Sequence, residues 1–120
     1  MLNNRELGNL GEDLAVNYLM KNKYIIISRN YRTRYGEIDI IAKDKEYLVF
    51  IEVKARKNTN FGYPREAVNF TKQRKIKELA NYFLLKENKM NNNIRFDVVE
   101  VFLDKNNEAQ SIEIITNAFE

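Results

Sequence analysis

Leu7, Leu10, Leu14 and Tyr18 recur at three- and four-residue steps, which predicts a helix over residues 4 to 22. The Ile-rich run from Tyr24 to Tyr31 reads as a strand, and Tyr35 to Lys43 as the next. A short polar turn at Asp44-Lys45 leads into a third strand, Glu46 to Arg56. Asn58 to Tyr63, with Gly62, reads as a loop, and Pro64 suits the first turn of a helix reaching about Lys89. Ile76, Leu79, Ala80 and Phe83 form the apolar stripe of that helix; a break near Phe70 would leave Thr71 to cap a second segment. After a polar turn at Asn88–Asn93 come a strand over Ile94–Leu103 and a short terminal one at Ile112–Ile115. The order αβββαβ predicts a single α/β domain over residues 1–120, with a mixed central sheet flanked by helices.

Polar residues interrupt the apolar pattern at specific places in the two middle strands. A two-residue turn at Asp44-Lys45 pairs Lys43 with Glu46, setting Asp39 opposite Phe50 and diagonal to Glu52, with Glu37 facing Glu52. Alternation then puts Glu37, Asp39, Glu52, Lys54 and Arg56 on one face, and Ile38, Ile40, Ala42, Ile51, Val53 and Ala55 on the other. Like charges across a strand pair are destabilising, so the acids call for a cation between them or open water. The plainer alternative is an edge hairpin with a solvated Glu52–Lys54–Arg56 charge ladder. A three-residue turn would put Asp39 and Glu52 on opposite faces.

Composition narrows the chemistry. The 120 residues are 44% hydrophobic and 31% charged, ordinary for a globular protein. No apolar run approaches the ~20 residues of a membrane span and no leader pattern is visible, so a cytoplasmic protein is expected. Without Cys or His there are no disulfides, thiolate or imidazole ligands, or imidazole bases. Hydrolysis must run on Asp, Glu, Lys and a hard, oxygen-liganded ion: Mg²⁺, or Mn²⁺ in its place. The net charge of +3 is unevenly spread. Lys54, Arg56, Lys57, Arg65, Lys72, Arg74, Lys75 and Lys77 face a single acid, Glu66, in that stretch, whereas residues 94–120 are acidic. That distribution fits a polyanion-binding surface or a solvated helix face.

Asp39, then twelve intervening residues, then Glu52-Val53-Lys54, resembles the PD-(D/E)xK nuclease superfamily. Gly8-x-x-Gly11-Glu12, Arg29-Asn30-Tyr31-Arg32, Gly36-Glu37-Ile38-Asp39, Phe50 to Arg56, Phe61-Gly62 and Arg95-Phe96-Asp97-Val98-Val99 resemble the YraN-type family of uncharacterised bacterial endonuclease-like proteins. The arrangement is also similar to archaeal Holliday-junction resolvases, which carry a Glu on the first helix, then Asp, then Glu-x-Lys. The resemblance implies a restriction-endonuclease-like fold and Mg²⁺-dependent phosphodiester hydrolysis in DNA, branched or single-stranded substrates included. Two departures stand: Ile38 occupies the place of the superfamily Pro, and a Gln-x-x-x-Tyr signature begun at Gln73 meets Lys77.

On this reading Asp39 and Glu52 hold the ion, with the Val53 carbonyl as a further ligand. Lys54 orients or deprotonates the attacking water, or is simply paired with Glu52 or Glu37. Glu12, on a helix stripe with Gly8, Ala15 and Leu19, is a metal or outer ligand, or a surface acid favoured by the helix dipole. Lys72 points toward a scissile phosphate or snorkels. Arg32, Arg34, Arg56, Lys57 and Lys75, with Tyr35, Phe61 and Tyr63, are candidate nucleic-acid contacts, each aromatic having core packing as its alternative. Two other classes compete: a nucleic-acid-binding module of the same fold without turnover, and an adaptor whose basic segment meets an acidic protein. An enzyme acting on both strands would gain from homodimer symmetry.

Overall fold

The computed structural model describes residues 2–57 and 69–120. Asn3 opens the first helix, α1 (Asn4–Lys21): its side chain accepts from the Glu6 amide at 2.8 Å, and its amide donates to Glu6 Oε1 at 3.0 Å. This reciprocal pair satisfies two N–H groups that a helix start would leave orphaned. Three strands follow, β1 (Ile25–Thr33), β2 (Gly36–Asp44) and β3 (Tyr47–Lys57). The second helix, α2 (Phe70–Lys86), precedes β4 (Asn93–Leu103) and β5 (Ala109–Phe119). Asn69, rather than Thr71, caps α2 by accepting from the Lys72 amide. The expected loop at Asn58–Tyr63 and the helix start at Pro64 lie outside the described residues.

The strands form one mixed sheet in the order β1-β2-β3-β4-β5, antiparallel throughout except for the parallel pair β3/β4. This is the αβββαβ core with a terminal strand. Strand β5 spans eleven residues, far longer than Ile112–Ile115. Its apolar residues are sparse because one side is an open edge, so hydrophobicity alone marks only its centre.

One helix covers each sheet face. Ile76, Leu79, Ala80, Phe83 and Leu84 of α2 pack on Ile38, Ile41, Leu48, Phe50, Phe96 and Val98. Ala15, Val16 and Leu19 of α1 pack on Ile40, Ala42, Val49, Ile51, Val99 and Val101. Cover on both faces explains the unbroken buried run from Leu48 to Glu52 in β3. Helix α1 comes close to the sheet at Gly11, where an added Cβ would stand 2.4 Å from the Ala55 Cβ. At Gly8 the same addition meets nothing, so of the two glycines only Gly11 is required by packing.

The β2–β3 hairpin turns at Lys45-Glu46, one residue later than the pattern predicts, with Lys45 in the left-handed region at φ 55°. Asp44 pairs with Tyr47, and Phe50 with Ile41 rather than Asp39. The ladder stops at Ile40↔Ile51, while β3 stays paired to β4 as far as Lys57↔Leu103. The two strands therefore fork beyond Ile40 and Ile51. Glu37 is not opposite Glu52; it pairs across β1 with Arg32 and bonds its guanidinium at 2.9 Å. Regular alternation also fails here, because Ile38 and Ile41 share the α2 face while Ile40 faces α1. Asp39 sits at this slip, beside Asn30 of β1, which has φ 52°.

Candidate functional site

The fork is what brings the charged residues together. With β2 turned away, the Val53 amide donates to Asp39 Oδ2 at 2.8 Å instead of extending the ladder. Asp39 thus lies between layers, coupled electrostatically to Glu52 and Lys72 on one side and to Glu12 on the other. Burial first, and then the Glu52 charge, push its carboxyl up to about 7; the Val53 hydrogen bond pulls the other way. Asp39 and Glu52 are therefore neighbours as expected, reached through a different register.

Glu52 is only 8% exposed, on the α2 face of the central strand. Lys72, from the first turn of α2, meets its Oε1 at 3.2 Å. This first turn is aimed at the fork because Asn69 fixes where α2 begins. Glu52, Lys54, Asn69 and Lys72 enclose a cavity of about 50 Å³, room for a water or a small ion. Lys54 thus reaches the same pocket as Glu52, two residues along one strand face.

Glu12 approaches from α1 and is likewise 8% exposed. Its Oε1 accepts from Arg29 Nε and Asn30 Nδ2, both at 3.1 Å, and Arg29 also pairs with Asp13. The sequence motif around Arg29-Asn30 was visible, but its role in holding Glu12 has no signal in spacing alone. Among the described residues, no three acidic side chains close up into a ready-made metal cluster. The donor set nonetheless suits a hard divalent ion. The buried Glu52 lines a small cavity and the half-buried Asp39 is its electrostatic neighbour, and carboxylate oxygens are the ligand type such an ion takes.

The cationic candidates gather around the same end of the sheet. Arg34 and Tyr35 form the tip of the β1–β2 hairpin, the Arg34 guanidinium lying 5.1 Å from the Tyr35 ring centre. That tip abuts α2 at Gly36, whose φ of 145° a side chain rarely adopts; an added Cβ would also press on Leu79 and Lys75 at 3.4 Å. Arg56 and Lys57 end β3, beyond the fork. Lys72 and Arg32 are both engaged by acids, Glu52 and Glu37, rather than standing alone. Phe61 and Tyr63 lie outside the described residues.

Comparison with known proteins puts this arrangement in context. Residues 11–101 match a family described as "Uncharacterised protein family UPF0102". A "UPF0102 protein" of Caldicellulosiruptor saccharolyticus is 50% identical over 118 residues, covering 98% of this chain and all of that protein. One from Clostridioides difficile is 48% identical over 118 residues, and one from Dictyoglomus thermophilum 43% over 118, with the same coverage.

Proposed function

For a chain that belongs to the uncharacterised protein family UPF0102, we propose from the site itself a Mg²⁺-dependent endonuclease that hydrolyses phosphodiester bonds in DNA, acting in the cytoplasm. The observation that carries this reading is the pairing of the half-buried Asp39 with the buried Glu52 at a sheet fork, with Lys54 and Lys72 around Glu52. A fold has no need to bury like charges together, and a cation relieves the repulsion.

Asp39 and Glu52 would hold the ion, with the Val53 carbonyl as a further donor; Mn²⁺ satisfies the same ligands. When bound, the ion supplies charge neutralisation at the phosphate and a more acidic water. Lys54 would orient an attacking water and steady the negative charge that develops at the phosphate. Lys72 holds Glu52 in place and lies within reach of a phosphate entering the pocket. Glu12, fixed by Arg29 and Asn30, adds negative potential behind Asp39 and so favours a cation there. Arg32, Arg34, Arg56, Lys57 and Lys75 would meet the phosphate backbone.

The Lys72–Glu52 ion pair favours a second reading, because it partly neutralises Glu52 without any metal: a nucleic-acid-binding module that has the fold but no turnover. One experiment separates the two. Purified protein is incubated with Mg²⁺ or Mn²⁺ and linear, single-stranded or branched DNA, with RNA as a further arm. The nuclease reading expects metal-dependent cleavage that falls by at least ~100-fold in Asp39→Asn and Lys54→Ala, with binding in EDTA retained. Salt-sensitive binding with no cleavage of any substrate leaves the second reading standing and ends the first.

A further inference from the structure

Between the end of β1 and the C-terminal half of α2 lies a groove of about 550 Å³, within the ~300–1,000 Å³ range of small-ligand sites. Tyr31, Tyr35 and Tyr82 line it, together with Arg32, Arg34 and Lys86. Neither Tyr35 nor Tyr82 is used by the core: they are 63% and 49% exposed, on the hairpin tip and on α2. Tyr31 is different. Its ring packs edge-on against Phe83 at 5.2 Å, yet its hydroxyl is buried and has no hydrogen-bond partner among the described residues. Burial, then Tyr82 and Glu87 nearby, push that phenol up, so it stays a neutral donor.

Exposed aromatic rings facing a groove with three cations on its rim are a costly surface unless something stacks there. Glu37 offsets Arg32, and Glu87 lies near Tyr31, so Arg34 and Lys86 carry most of the positive field. Flat π-systems with an anionic backbone answer both features. A regular duplex hides its base faces, whereas an unpaired strand exposes them.

We propose that this groove binds unpaired nucleotides of a single strand, with Tyr35 and Tyr82 stacking on bases and Arg34 and Lys86 holding phosphates. The inference rests on the nuclease reading for its biological sense: Tyr31 pairs with Ile38, the residue next to Asp39, so a strand lying in the groove would pass beside the fork. It gives the substrate class as DNA with a single-stranded stretch.

The test needs no catalysis. The chain has no Trp and 7 Tyr, so its intrinsic emission reports on tyrosine directly. Oligothymidylate, oligouridylate and a blunt duplex are titrated in EDTA against wild type, Tyr35→Ala, Tyr82→Ala and the two Phe counterparts, with circular dichroism as the check on folding. Each Ala variant should bind the single strands roughly tenfold more weakly and the duplex as before, while each Phe variant keeps the π-face and stays near wild type. Tyrosine emission should be quenched by single strands, and less so in the Ala variants. Single-strand affinities within about twofold of wild type, or equal losses on duplex and single strand, overturn the proposal. Metal-dependent cleavage with unaltered binding by the Ala variants would remove the groove and leave the nuclease. Selective binding without cleavage of any substrate would do the reverse.

Discussion

The two ends of the sheet bury acidic residues in opposite ways. At the β2–β3 turn end, Asp97 is wholly inaccessible but fully answered. Arg95 donates to both its oxygens at 2.8 Å, the Tyr24 hydroxyl to one at 2.9 Å, and the Asn117 amide to the other at 3.0 Å. Arg95 also bonds Asp44 at 2.9 Å and lies 5.2 Å from the Tyr47 ring centre. The hydrogen bonds to Asp97 hold the guanidinium above its usual pKa, and burial followed by Asp97 pushes the Tyr24 phenol up. At the fork, Asp39 has Glu52 and Glu12 as electrostatic neighbours and is pushed toward protonation. The first cluster closes on itself; at the second, Lys72 and Arg29 pair with Glu52 and Glu12 but no cation pairs directly with Asp39 among the described residues, and that is where the proposed metal ion would act.

This contrast makes graded predictions. The largest effect belongs to the closed cluster. Arg95→Ala should cost about 3–5 kcal/mol in urea unfolding, because it strands Asp97 in the interior. A loss as small as that of a surface ion pair would mean that the network is not structural.

Next comes the fork, with the opposite sign. Below the ordinary carboxylate value of 3.8, Asp39 is protonated in folded and unfolded chains alike, and its neutral form fits the site. As pH rises toward about 7 the unfolded chain has released its proton and the folded one has not, so this contribution to stability declines and is gone above that range. Metal-free wild type should therefore lose stability between about pH 4 and 7 relative to Asp39→Asn. At pH 8 the variant should be the more stable by on the order of 2–4 kcal/mol, read from parallel denaturation curves. A less stable Asn variant at pH 8 would contradict the comparison.

A smaller loss, about 1–3 kcal/mol, is expected for Gly11→Ala, which drives a methyl into Ala55. Adding Ala55→Gly should restore most of it, and a double variant no better than the single would count against the close approach. Smallest is Asn69→Ala, at about 1 kcal/mol for the lost cap. It should weaken activity beyond its stability cost if the first turn of α2 positions Lys72.

Much of this was readable from residue pattern. Apolar runs located β2 and β3, helical spacing located α1 and the stripe of α2, and the acids stood out against apolar neighbours. The register did not follow, because Asp44-Lys45 and Lys45-Glu46 are equally polar turns and only the left-handed Lys45 distinguishes them. Nor could the fork be read, since its cause is the continued pairing of β3 with β4 after β2 has left. That is a long-range contact with no local trace. The capping box at Asn3 and Glu6 was legible and overlooked. The Arg95–Asp97 pair has the spacing of one strand face, but its closure through Tyr24 and Asp44 joins residues far apart in the chain. Glu12 was identified by type and helix position; its holders Arg29 and Asn30 required the β1 bulge region to be seen.

The central claim is that the acids at the fork are completed by a divalent cation. The most direct measurement is a titration of Mg²⁺ and Mn²⁺ into wild type and Asp39→Asn at pH 7, following heat, proton release and melting temperature together. The account predicts saturable binding by wild type, with protons released and a melting temperature rising logarithmically with metal, and none of these in the variant. Equal responses from the two proteins, or no response from either, would contradict it.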